Sequence, residues 1–323
     1  MSNTSKNSSS KKLVLTISLL LNVAGIVALC FLISTSVELA KQKKKTRHLE
    51  RQALITNYEK LNQLEDRSAR VLRRDFVSRL DGRADSFLLS PPLSPAPEGK
   101  HTLFVYLHGM GASYREPYGD PGKFLVADEI QKAFPYSVFI SLNYRSPASW
   151  GEASALSDIS QNIDETMQAY PTSEIILLGC SMGGCTVLNY AACAPDSIKT
   201  KLKGIVSVES AGDLAVLFDK TQARIVKQAM VIMLKGTPKD NPDAYRQASF
   251  FHNIQGLPKQ VRIAVVSAKK DSTVPPEMQK QIIERLQSMQ VKSKLIEIDT
   301  NHGLPEPSVF IDAIKFTLAK DSA

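Results

Sequence analysis

An apolar run passes straight into Gly-Cys-Ser-Met-Gly-Gly at residues 179–184. A Gly-x-Ser-x-Gly sequence lets a strand reverse into a helix through a tight bend that leaves the central hydroxyl, here that of Ser181, at its tip. A Cβ at Gly179 or Gly183 would collide with the neighbouring strand or helix, and Gly184 gives the helix room to pack. A plain turn needs no chemistry, so the pattern counts only with its context. That context is a set of polar residues just beyond other apolar runs. His108-Gly109-Met110-Gly111 follows the run at 102, Asp271 follows the run at 263, and His302 follows the run at 294. A serine, an acid and a histidine in that chain order can act together in nucleophilic catalysis if a common edge gathers them.

The elements that must do the gathering are legible as short β-branched runs: TLFVYL at 102, SVFISL at 137, EIILL at 174, GIVSV at 204, IAVVSA at 263 and KLIEI at 294. Fully apolar runs separated by longer amphipathic segments predict an α/β fold, a mostly parallel central sheet with helices on both faces. The C-terminal ends of such strands form the natural active edge. Two further strands are expected around Asp81-Gly82, a dipeptide suited to a hairpin turn, and Pro91 to Gly99 reads as a surface connection. Residues 212–258 form a helical insertion whose Leu214, Leu217, Phe218, Ile225, Val226, Met230, Met233 and Leu234 are either a cap over the site or core. Arg115, Tyr118 and Trp150, in loops at the same edge, are candidates to line its entrance.

With Gly-x-Ser-x-Gly, His-Gly-Met-Gly, Asp-x-x-Val-Pro and Asn-His-Gly each at a strand end, residues 74–323 resemble an α/β-hydrolase. The resemblance implies Ser181 as nucleophile, His302 as general base and then acid, and Asp271 as the carboxylate that orients the imidazole. It also implies an oxyanion hole from the backbone N–H groups of Met182 and Met110, the latter open to a shift of one position. No cofactor and no metal is called for. Glu209, after the run at 204, is an alternative acid, because some related enzymes draw it from that strand. Cys180, flanked by Leu178 and Met182 rather than by glycines, is expected to pack rather than react. His48, His101 and His252 read as surface or structural histidines, and Asp299 as a strand-end residue.

Charge and hydropathy divide the chain. Residues 1–73 hold 13 of the 40 Lys+Arg and 5 of the 32 Asp+Glu, which accounts for the whole net charge of +8; the remainder carries 27 of each sign. A balanced main domain argues against nucleic-acid binding. Residues 1–12 are a Ser/Asn/Lys tail expected to be disordered, and residues 13–34 contain no charged side chain, long enough for a single-pass transmembrane helix in a bilayer. A cleaved signal peptide has a shorter apolar region, and a lipoprotein site at Cys30 is disfavoured by the bulky Leu29. More cations follow the span (Lys41, Lys43, Lys44, Lys45, Arg47, Arg51) than precede it (Lys6, Lys11, Lys12), which leans the catalytic domain toward the cytoplasm.

Residues 35–73 read as a basic helical stalk, with Leu54, Tyr58, Leu61, Leu64 and Val71 near helical spacing and Ser68 interrupting them. A solvated helix packed on the domain is favoured over a coiled-coil homodimer. Cys180, Cys185 and Cys193 cluster around the helix after the serine as small buried residues would, with no disulfide framework. The whole predicts a membrane-anchored serine hydrolase acting on an ester or similar acyl bond of a small-molecule substrate. The alternatives are a peptidase of prolyl-oligopeptidase type, whose usual propeller is not evident, and a catalytically silent tethered binding module.

Overall fold

The computed structural model describes residue 42 and residues 70–119 and 125–319. The expected tail, span and nearly all of the stalk, with His48, lie outside the described residues. Among the described residues no helix is long and apolar enough to cross a membrane.

Among the described residues eight strands form one sheet: β1 (Leu72–Val77), β2 (Ala84–Ser90), β3 (His101–Leu107), β4 (Val138–Leu142), β5 (Thr172–Cys180), β6 (Leu202–Val208), β7 (Arg262–Ala268) and β8 (Ser293–Ile298), in the order β1-β2-β4-β3-β5-β6-β7-β8. β1 and β2 pair antiparallel, as do β2 and β4; every other pairing is parallel. All six apolar runs are therefore strands of one parallel array. Successive side chains of a strand point to opposite faces, and every residue from Leu103 to Leu107 is buried, so both faces of the sheet are covered.

The cover consists of α1 (Val126–Ala133), α2 (Ala153–Ala169), α3 (Met182–Cys193), α4 (Asp196–Lys199), α9 (Pro276–Ser288) and α10 (Pro307–Leu318). α3 lies over β3, β5 and β6, whereas α10 lies over β6 and β7 and packs against α1. Eleven of the twelve residues of α3 are buried, as its nearly unbroken apolar and small-residue sequence requires.

The first strand starts at Leu72, two residues before the boundary expected at 74, and Val71, assigned to the stalk's apolar stripe, is buried in the domain. Leu-Arg-Arg-Asp-Phe-Val is an edge strand that buries only Phe76, and its three apolar residues, at positions one, five and six, show no two-residue alternation to distinguish it from helix. Asp81-Gly82 does sit in the β1–β2 connection, where Gly82 has φ +73° and its N–H donates to Ser78 O at 2.9 Å. That connection is pinned by a buried ion pair. Arg145 Nε lies 2.7 Å from Asp158 Oδ2 on α2, and its Nη1 lies 2.7 Å from Asp81 Oδ2.

Between β6 and β7 the insertion forms α5 (Leu214–Lys220), α6 (Arg224–Met233), α7 (Pro242–Ala248) and α8 (Phe250–Asn253). Asp213 caps α5 by accepting from Ala215 N–H at 2.8 Å. Leu214, Leu217, Val226, Met230 and Leu234 are buried in the main core and Phe218 and Met233 pack against it, while Ile225 is 67% exposed. Of the two readings of the apolar stripe, burial supports core. A cavity of about 480 Å³ lies between the insertion and the start of α2, lined by residues including Gly151, Leu156, Cys193, Met233 and Asn253.

Candidate active site

β5 ends at Cys180 and α3 begins at Met182, so the whole reversal is made at Ser181, which has φ +54° and ψ −117°. Few non-glycine residues adopt a positive φ, and the strain is held by what surrounds it. Ser181 N–H donates to Val208 O of the neighbouring strand at 2.8 Å. A Cβ on Gly183 would come within 2.0 Å of Leu107 O, and one on Gly179 within 2.4 Å of Gly183 C. The glycines are thus fixed by the approach of backbone to backbone at the two sides of the bend.

Beyond β7, Asp271 Oδ1 accepts the N–H groups of Thr273 and Val274, both at 2.8 Å, in the turn that leads into α9. This leaves Oδ2 free to face His302, which follows β8. His302 Nδ1 is 2.6 Å from Asp271 Oδ2, and Nε2 is 2.9 Å from Ser181 Oγ. The structure brings together the serine, the acid and the histidine that the sequence singled out, across 121 positions of chain.

Burial alone would push the His302 imidazole down. The hydrogen bond and charge of Asp271, with Glu209 and Glu116 behind it, outweigh that and hold the imidazole above its ordinary value. Because Nδ1 faces a carboxylate, its proton stays there and the Nε2 lone pair points at the serine hydroxyl. The arrangement can remove a proton from Ser181 and return it to a leaving group.

The loop after β3 offers three consecutive backbone N–H groups. That of Gly109 donates to Glu116 Oε2 at 2.9 Å and that of Gly111 to Pro147 O at 2.7 Å. The Met110 N–H, between them, is committed to neither. Glu116, which no sequence pattern indicated, is buried, and the same carboxylate oxygen accepts the Tyr106 hydroxyl at 2.8 Å. A buried acid spanning β3 and its own loop holds the loop's shape. His108 clamps the same loop, its ring nitrogens 2.8 Å from Gly109 O and 3.2 Å from Asn143 O.

Other candidates divide. Cys180 is buried with Sγ 3.8 Å from Gly303 O, a packing position, and Cys185 is buried with its thiol pushed up to about 12. Cys193 corrects the expectation of three buried cysteines, since the exposed end of α3 carries it. Tyr118 and Trp150 are buried and do not line an entrance: the Tyr118 hydroxyl is 2.8 Å from that of Ser90, and the Trp150 backbone N–H donates to Met182 Sδ at 3.4 Å. Arg115 is buried too. His252 pairs with Asp213 at 3.3 Å, His101 bonds Tyr136 O, and Asp299 pairs with Lys270 at 3.0 Å, all away from the triad.

Glu209, after β6, belongs to the site. It is fully buried, has φ +49°, accepts the Gly303 N–H at 2.7 Å and lies 3.1 Å from His302 Nδ1. Burial raises its carboxyl to about 7. One ligand atom each from Glu209, Asp271 and His302 falls within 4.8 Å of the others, a set that could hold a divalent ion. Such an ion would take the Nδ1 that already faces Asp271, so the set reads as acid–imidazole chemistry.

The sequence of residues 151–319, more than half of the chain, matches the prolyl oligopeptidase family. The chain belongs to that family. As a prolyl oligopeptidase family member it is a serine hydrolase, and the matched region holds Ser181, Asp271 and His302. Among solved structures its fold is similar to puromycin hydrolase (17% identity, TM-score 0.60, 76% of this chain and 38% of that one). It is also similar to Pyrococcus horikoshii acylaminoacyl peptidase (17%, 0.56, 72% and 38%) and to an esterase of Rhizomucor miehei (16%, 0.57, 76% and 82%). The prolyl oligopeptidase family chain described here thus spans about two fifths of the length of the first two. No match was found among curated protein sequences.

Proposed function

We propose that this hydrolase cleaves an ester or similar acyl bond through an acyl-enzyme on Ser181. The observation that carries the reading is the continuous line from Ser181 Oγ through His302 to Asp271, at 2.9 and 2.6 Å. His302 takes the serine proton as Oγ attacks the carbonyl carbon, then gives it to the leaving oxygen. Water repeats the cycle to release the acid. The N–H groups of Met182, at the start of α3, and Met110 receive the oxyanion; their pairing is supported by the commitment of the Gly109 and Gly111 N–H groups elsewhere. The small-molecule substrate requires no cofactor. Residues 13–34 anchor the enzyme in a bilayer as a single-pass protein with its catalytic domain on the cytoplasmic side.

A peptidase is the second reading, favoured by the family match and by the acylaminoacyl peptidase likeness. The ester reading draws on the esterase likeness, which extends over 82% of that protein. Fluorophosphonate labelling and a panel of p-nitrophenyl esters set against aminoacyl p-nitroanilides decide between them. We expect labelling that is absent from Ser181→Ala, a fall of about 10⁵- to 10⁶-fold in kcat in that variant, and turnover of esters above anilides. Anilides turned over faster would move the assignment to a peptidase. Labelling that survives in Ser181→Ala would move the nucleophile to another residue, and no labelling of the unaltered chain would leave a tethered binding module.

A further inference from the structure

Three carboxylates approach the catalytic histidine, and the mechanism above uses one. Glu116 reaches it only through the field, from the loop after β3. Glu209 reaches the ring itself. Its Oε2 is 3.1 Å from His302 Nδ1 and 2.7 Å from the N–H of the next residue, Gly303, so one oxygen holds both the imidazole and the backbone that carries it. Its Oε1 is buried without a hydrogen-bond partner among the described residues. The side chain is aimed by a left-handed backbone, φ +49°, at the end of a strand where an ordinary extended residue would point elsewhere. An unpartnered buried oxygen and a strained backbone both cost stability.

We propose that Glu209 is a second positioning acid for His302, sharing the Nδ1 proton with Asp271 and able to hold the imidazole in the reactive tautomer when Asp271 is lost. This rests on the Ser181–His302–Asp271 reading. The proton shared at Nδ1 stays on the ring throughout; the proton that moves passes through Nε2, from Ser181 Oγ to the leaving group in acylation and from water to Ser181 Oγ in deacylation. Asp271 accepts two backbone N–H groups on its other oxygen, which fixes the carboxylate that faces Nδ1. Glu209, pushed up by burial and pulled back by His302 and the Gly303 N–H, ionises near neutrality. The charged or titratable groups that face it are His302 from the loop after β8 and Asp271 from the loop after β7.

The test compares Asp271→Ala, Glu209→Gln and the double variant in the full chain, using ester hydrolysis from pH 5 to 9, with Ser181→Ala as reference. Where a triad acid acts alone, its loss costs about 10⁴-fold in kcat. Here we expect Asp271→Ala to lose about 10²-fold and the double variant about 10⁴-fold. Glu209→Gln alone removes a negative charge 3.1 Å from Nδ1, so the acid limb of its kcat/KM profile moves to lower pH, which a packing role would not cause. Equal rates for Asp271→Ala and the double variant overturn the proposal. If Asp271→Ala fails to fold, an acid limb in Glu209→Gln that superimposes on that of the unaltered enzyme overturns it alone. Activity retained by Ser181→Ala would instead sink the underlying triad.

Discussion

His302 sits where burial and charge oppose one another, and charge wins. A base must be neutral to act, so the rate depends on losing a proton that Asp271 helps to retain. We therefore expect kcat/KM for a soluble ester to climb with pH through a midpoint above the ordinary imidazole value of about 6.5. A pH–rate profile checks this, and a midpoint below 6.5 would contradict the geometry. The sign for stability is the reverse. A histidine raised on folding contributes stability that is fully present below its unfolded value and lost as pH rises through its folded value. Glu209 acts in the same direction, because a carboxyl raised from 4.5 to about 7 makes the native state bind the extra proton between those values. The domain accordingly places its catalytic optimum on the side where these groups stabilise it least.

At the scale of elements, the first hairpin is tied to the loop after β4 and to α2 by a buried ion pair. Arg145 is 5% exposed and Asp158 1%, and the Ser78 hydroxyl donates to Asp158 at 2.5 Å while Arg145 Nη2 donates to Ser78 Oγ at 2.9 Å. Arg145 occupies the loop after β4 with φ +79°, so its contacts and its backbone hold one another. Removing Asp158 leaves the buried Arg145 guanidinium with only the more exposed Asp81 as carboxylate partner. We expect Asp158→Ala to lose about 3–5 kcal/mol in urea unfolding. A loss below about 1 kcal/mol would mean that water reaches Arg145 and that the pair holds nothing. Five of the six apolar runs were legible as elements because each is short, β-branched and buried on both faces; the sixth, edge strand β8, is only half-buried and was marked by its apolar residues alone. β1 was less so, because an edge strand shows one face to solvent and its charged residues fit a helix equally well.

For the whole molecule, the sequence separates a basic, partly uncharged N-terminal stretch from a balanced catalytic domain, and residues 67–323 form a compact unit by themselves. If residues 13–34 anchor the enzyme, the full chain should stay with membranes through an alkaline carbonate wash. Removal of residues 1–34 should release it with kcat/KM toward a soluble ester unchanged. Fractionation of cells expressing each form checks this, and full-length enzyme in the soluble fraction would refute the anchor.

By itself the sequence determined where the chemistry stands. Glycines that must admit backbone contact, a serine between them, and polar residues ending apolar strands are local patterns, and a parallel sheet aligns the C-terminal ends of its strands whatever their order. Strand order, and with it the neighbours of each loop, is set by pairing between residues far apart in the chain. Only the tertiary structure could therefore decide that Asp271 has Oδ2 on His302, that Glu209 joins it, that Glu116 holds the loop after β3, and that Tyr118 and Trp150 turn inward. A carboxylate's role follows from which strand end lies next to its own, and that adjacency has no signature in the residues that flank it.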